Sequence, residues 1–282
     1  MKFNYYSTTG DFFIIRLLSV TVTVYTYKKL KLDVSMMTSI SWYSGDDNVY
    51  INLVCLSNSI LLSIVEITMT IKITNDVLKA SSTLCKAFSQ SAAGDYIMKK
   101  FFNISIQEPV SRKRIDAMIH YYTALYHDLE GEIIESNDYD AVALWSTPGK
   151  HLTSAKTNDP VFNKNFIEDL SARKKEVIPE DIGYYYLFMI GKDLSKPEIR
   201  GSVRAIFQEF KARADEKNCA IVLECISDHA KQVYEYFGFE DYLTFRYGVG
   251  EVNSKGEYDP NGEGFVGHLM FYHKDGDKIL RK

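Results

Sequence analysis

From residue 70 onward the chain alternates between stretches whose apolar side chains recur every second position and stretches where they recur every third or fourth. Thr70-Ile71-Lys72-Ile73 reads as a short strand, and Asn75 or Asp76 then stands as N-cap to a helix through Val77, Leu78, Leu84 and Phe88. A second helical piece is predicted over residues 95–102. Ser111 opens a third, with Ile115, Met118, Ile119, Tyr122, Leu125, Tyr126 and Leu129 on one stripe and Gly131 at its end. Strands are predicted over 132–135 and 139–145, parted by the polar turn Ser136-Asn137-Asp138. A helix over 162–175 leads to the uncharged run 183–190, which reads as a central buried strand. Residues 191–201 are polar. A helix over 202–216, a strand over 220–226 and a helix capped by Ser227 or Asp228 and ended by Gly238 follow. Strands over 243–252 and 265–272 close the chain as a long-looped hairpin around Asp259-Pro260-Asn261-Gly262. The order of elements is an α+β layout with a mixed central sheet flanked by helices.

Residues 1–68 read differently. They contain no His and no Pro, and they are dense in Ser, Thr, Ile, Leu, Val and Tyr without a sustained period. No element is convincing there, so the segment is expected to be a poorly structured extension, disordered or not part of the native protein, with the working domain spanning 69–282. Two apolar stretches, 12–27 and 51–67, are interrupted by Arg16 and by Asn52, Asn58 and Glu66, and fall short of the roughly 20 apolar residues a membrane helix needs.

Composition adds exclusions. A formal net charge of −4 offers no basic field for nucleic acid or an anionic membrane, so neither is an expected partner. Cys55, Cys85, Cys219 and Cys225 form no C-x-x-C pair, which fits a reducing compartment; the cytoplasm is expected, with the nucleus also open. His120 and His127 lie on one helical face but have no carboxylate at ligand spacing, so no metal is expected. Gly248-Val249-Gly250 has no helix after it and reads as a bulge or twist, not a dinucleotide loop.

Two constellations carry chemistry. The first is Val222-Leu223-Glu224-Cys225-Ile226-Ser227, followed by Ala230 and by Tyr234 ahead of Gly238-Phe239. A carboxylate inside an apolar strand is out of place; Glu224 either serves as a proton acceptor or points to solvent on the alternate face. Tyr234 is either a functional phenol or one more residue of the helix's apolar stripe. The second is Arg200-Gly201-Ser202-Val203-Arg204-Ala205, a turn that opens a helix and so aims free N–H groups at an anion.

Together these stretches resemble the GCN5-related N-acetyltransferase (GNAT) superfamily, of a kind similar to fungal members, from Asp76 to the C-terminus. The resemblance implies the GNAT acyl-CoA fold and transfer of acetyl from acetyl-CoA, as co-substrate, to the amine of a small molecule or peptide. It implies Tyr234 as proton donor to the departing thiolate and Glu224 as base. Ile190, Lys192, Arg200, Gly201, Ser202, Val203, Arg204, Ala205 and Ser227 would bind the coenzyme. Val203 stands where the family pattern has its central glycine, so either Gly201 shifts the cradle or binding is weakened. The contrasting expectation is a GNAT-fold module that binds ligand without turnover.

Overall fold

The computed structural model describes residues 70–150 and 156–281, together with the backbone of five strands between Phe12 and Thr68. The chain divides into two units, Met1–Thr68 and Met69–Lys282. In the first, β1 (Phe12–Leu17) pairs antiparallel with β2 (Val20–Tyr25), and β3 (Met37–Ser44) with β4 (Asn48–Cys55), which also pairs with β5 (Ile67–Thr68). The sequence reading finds no element here. These strands come from runs rich in β-branched and aromatic residues, which favour extended backbone without needing strict alternation.

The second unit holds a seven-stranded sheet. Its elements are β6 (Ile71–Ile73), α1 (Val77–Ala87), α2 (Ala92–Phe101), α3 (Arg112–Asp128), β7 (Glu132–Ser136), β8 (Ala141–Ser146), α4 (Pro160–Phe162), α5 (Leu170–Val177), β9 (Tyr184–Lys192), α6 (Ser202–Lys217), β10 (Ala220–Cys225), α7 (Asp228–Tyr236), β11 (Glu240–Tyr247) and β12 (Phe265–Tyr272). The sheet order is β11-β12-β10-β9-β8-β7-β6. Every neighbouring pair is antiparallel except β9 with β10.

Helices cover both faces. On one, Ile115, Met118 and Ile119 of α3 pack with Ile133, Val142 and Leu144 of the sheet. On the other, Ile206, Phe207 and Phe210 of α6 meet Ala143, Trp145 and Tyr185, with the Trp145 and Phe210 rings stacked at 3.9 Å. Each such fully buried large side chain contributes about 1.5–3 kcal/mol. Asp76, Ser111 and Ser227 cap their helices as the sequence predicts, each accepting a backbone N–H from the first turn, while the second helix starts earlier than the expected 95, at Ala92, capped by Ser91.

Three other local readings change. The helix expected over 162–175 is one continuous segment, α4 and α5 joined by a π-helical stretch, Asn163–Asp169. The strand expected to reach 252 stops at Tyr247. Gly248 takes φ +70°, and a Cβ there would lie 2.4 Å from the Val252 side chain, so the chain turns away instead of bulging within a strand. The strand expected from 139 starts only at Ala141, because the turn runs on through three successive left-handed residues, Asn137, Asp138 and Tyr139, steadied by the Glu135 carboxylate, which accepts the Tyr139 N–H at 3.0 Å.

Candidate active site

β9 and β10 run side by side from the pair Tyr184 and Ala220 to the pair Leu187 and Leu223, then part. Two features part them. Phe188 is an extra residue against β8, where the register passes from Leu144 opposite Met189 to Trp145 opposite Leu187; such a bulge bends its strand and swaps the faces beyond it. β10 meanwhile ends at Cys225, and the Ser227 hydroxyl, accepting the Ala230 N–H at 3.2 Å, turns the chain into α7. Beyond Leu187 the β9 edge therefore has no strand partner on the β10 side. A cavity of about 370 Å³ opens there, bordered by Phe188, Ile190, Glu224, Ile226, Ser227 and Tyr234. Gly191 allows α1 to press against the far end of β9, since a Cβ at that position would sit 2.4 Å from the Ala87 methyl.

Glu224 is held from two sides. Lys174 of α5 places its Nζ 2.7 Å from Oε1, and the Tyr186 hydroxyl donates to Oε2 at 2.5 Å. The same ammonium lies 4.2 Å from the centroid of the Tyr186 ring. Burial, reinforced by the Glu224 charge, pushes the Tyr186 phenol well above its ordinary range, so it stays a donor. Glu224 thus faces the cavity and not open solvent.

Tyr234 lies on α7 with its ring edge-on to Phe207 at 5.5 Å, while its hydroxyl makes no hydrogen bond among the described residues. Burial raises this phenol too, and the Cys225 thiol adds to the effect, so at neutral pH it is protonated.

A second, open groove of about 570 Å³ continues from the cavity, bordered by Leu194, Arg200, Gly201, Val203, Arg204 and Tyr236. Gly201 is the residue that needs left-handed backbone, at φ +94°, and it opens α6 without a side-chain cap. The N–H groups of Ser202, Val203 and Arg204 have no acceptor among the described residues. Val203 lies within the first helical turn and packs toward the core beneath α6, so its branched side chain occupies helical backbone, which it can adopt. Ala205 sits deeper, its N–H donating to the Gly201 carbonyl at 2.8 Å.

Several predicted ligands have their side chains committed to structure. The Ser202 hydroxyl donates to Asp140 at 2.6 Å and accepts from Asn137 at 2.8 Å. Lys192 donates to the same buried Asp140 at 3.1 Å and to the Lys196 carbonyl at 2.6 Å. These bonds lock the start of α6 to the β7–β8 turn and the end of β9. Arg204 donates to the Tyr236 hydroxyl at 2.9 Å at the groove's rim, and Arg200 is exposed beside it. Sequence reasoning missed Lys174. The signal was there: Phe162, Phe166, Leu170 and Lys174 follow at four-residue steps, which puts a lysine on an apolar stripe. Among the described residues no group of three or more His, Cys, Asp or Glu side chains could hold a metal ion.

Comparison with known proteins accords with this geometry. The family described as YOR012W acetyl transferase domain matches residues 72–151. The protein YDR391C of Saccharomyces cerevisiae is 54% identical over 215 residues, which cover 76% of this chain and 90% of that protein. The N-acetyltransferase C550.08 of Schizosaccharomyces pombe is 25% identical over 182 residues, 58% of this chain and 70% of that one. The crystal structure of histone acetyltransferase HPA2 and related acetyltransferase from Corynebacterium glutamicum covers 72% of this chain and 94% of its own, with 20% identity and a TM-score of 0.44. The fold is that of the acyl-CoA N-acyltransferases. The chain belongs to the GCN5-related N-acetyltransferase superfamily, in the same family as yeast YDR391C.

Proposed function

We propose that the chain transfers an acetyl group from acetyl-CoA to a primary amine by direct attack within the unit 69–282. The observation that carries this reading is the parting of the seven-stranded sheet's parallel pair onto a cavity bordered by Tyr234, whose hydroxyl has no partner among the described residues. The bare edge of β9 from Phe188 to Lys192 can hydrogen-bond a pantetheine arm as an added strand would. The free amides of Ser202, Val203 and Arg204 sit at the positive end of α6, where a diphosphate is favoured, with Arg200 and Arg204 beside them.

In the reaction the amine nitrogen attacks the thioester carbon. A C–N bond forms and the C–S bond breaks; the nitrogen's surplus proton goes to Glu224, directly or through water, and Tyr234 gives its proton to the departing sulfur. The products are an acetamide and free coenzyme A, and solvent restores the two protonation states. Tyr234→Phe is expected to keep acetyl-CoA affinity and to lose roughly 10²–10⁴-fold in kcat, followed by thiol release. Unchanged turnover would remove Tyr234 from the mechanism.

A second reading, a binding module without turnover, is favoured by the occupied state of Glu224, whose two oxygens are already held by Lys174 and Tyr186. Calorimetric binding of acetyl-CoA with no thiol release over any amine would select it.

A further inference from the structure

We infer that the acceptor is a primary amine on a small apolar body, aliphatic or aromatic. The inference rests on the acetyl-transfer reading above and names what that site acts on. Past Glu224 the cavity runs on between α2, α3 and β9, where Phe88, Met98, Phe101, Ile119 and Phe166 form its wall. Phe166 comes from the π-helical stretch and is braced by Phe162, stacked at 4.9 Å, and by Phe101, edge-on at 5.4 Å, so this wall is rigid. Such a surface gains about 25 cal/mol for each Å² of apolar area it removes from water. A hydroxylated body would instead surrender hydrogen bonds to water that these side chains cannot replace.

The charges point the same way. Two carboxylates reach the cavity, Asp95 and Glu224, and each is already paired: Arg112 Nη1 lies 3.0 Å from Asp95, and Lys174 Nζ lies 2.7 Å from Glu224. Paired carboxylates do not provide the succession of anionic sites that the further ammonium groups of a polyamine require. Lys192, which also borders the cavity, is committed to Asp140, so an acceptor carrying its own carboxylate finds no ready counter-ion there. Glu224 and Tyr186 form a polar corner near the parting strands, Ser91, Ser227 and His229 border the cavity elsewhere, and an apolar slot lies behind the corner. An amine with a single nitrogen matches that layout: the nitrogen at the corner attacks the thioester carbon and yields its proton there, while the body lies against the aromatic wall.

The test uses the full chain with acetyl-CoA and four amines: phenethylamine, hexylamine, spermidine and glucosamine. Thiol release gives kcat/KM for each, and calorimetry gives acetyl-CoA binding separately. Phenethylamine or hexylamine is expected to exceed spermidine and glucosamine by about 10²-fold or more, within the range a hydrophobic pocket achieves. Phe166→Asp is expected to raise KM for phenethylamine at least about tenfold; should that variant not fold, the four-amine comparison on the native chain decides alone. Equal or better turnover of spermidine or glucosamine overturns the inference, as does acetyl-CoA binding with no transfer to either apolar amine. Failure to bind acetyl-CoA at all overturns the acetyl-transfer reading as well, so the two failures are told apart.

Discussion

Lys174 and Glu224 show how one charged pair can serve both stability and chemistry. Their side chains are 15% and 8% exposed, so each charge has given up most of its water and depends on the other. Removing only the ammonium leaves a buried carboxylate with the Tyr186 phenol as its remaining partner. Lys174→Met is therefore expected to cost about 3–5 kcal/mol in urea unfolding, and Lys174→Met combined with Glu224→Gln to cost clearly less than the sum of the two single changes. Additive losses would show that the pair is not coupled. Asp193 is another buried charge near the site. Burial acts to raise its carboxyl, but hydrogen bonds from Lys86, at 2.8 Å, and from Ser195 outweigh it and hold the group well below the usual range. A folded value below the unfolded one adds stability that is complete above about pH 4, the unfolded range, and drains away as pH falls below it. The melting-temperature gap between the native chain and Asp193→Asn is thus expected to be widest near neutrality and to narrow on acidification. A gap independent of pH would contradict the assignment.

At the level of elements, the start of α6 separates what a motif asks for from what a backbone needs. The family pattern sets a glycine at 203; here the left-handed residue is Gly201, and Val203 is an ordinary helical residue leaning on the core. Restoring the pattern with Val203→Gly is expected to lower stability by about 1 kcal/mol, from lost packing and helix propensity, while acetyl-CoA affinity stays within about twofold. A large gain in affinity would mean that the valine side chain obstructs the groove. Elements of this kind were legible wherever one residue type forces one conformation. Ser111 and Ser227 announced helix starts, and the uncharged stretch around Tyr185 to Met189 announced a central strand, since charges are excluded from both its faces. The Phe188 bulge was not legible, because its neighbours Leu187 and Met189 are as apolar as it is and no glycine marks the irregularity. The π-helical stretch was hidden for a similar reason: Phe162, Phe166 and Leu170 keep helical spacing whichever helix type carries them. Local spacing puts Lys174 on an apolar stripe, but its partner Glu224, like the Asp140 partner of Lys192, lies about 50 residues away, and local patterning holds no record of which groups will pair.

Over the whole molecule, every residue assigned to the site lies in the unit Met69–Lys282, which also holds the entire seven-stranded sheet. We propose that this unit is the working domain. A fragment covering 69–282 is expected to unfold cooperatively and to bind acetyl-CoA within about threefold of the full chain, judged by calorimetry; a fragment that does not bind would assign residues 1–68 a part in the site. The topology has one more consequence. Where β9 and β10 separate, the contacts proposed for the pantetheine arm are peptide groups of the bare β9 edge, defined by torsion angles and not by side-chain identity. Such a surface passes through alanine scanning almost unseen, because alanine keeps the amide. Replacing single amides by esters along this edge, or introducing proline at position 202, would read that hidden layer directly.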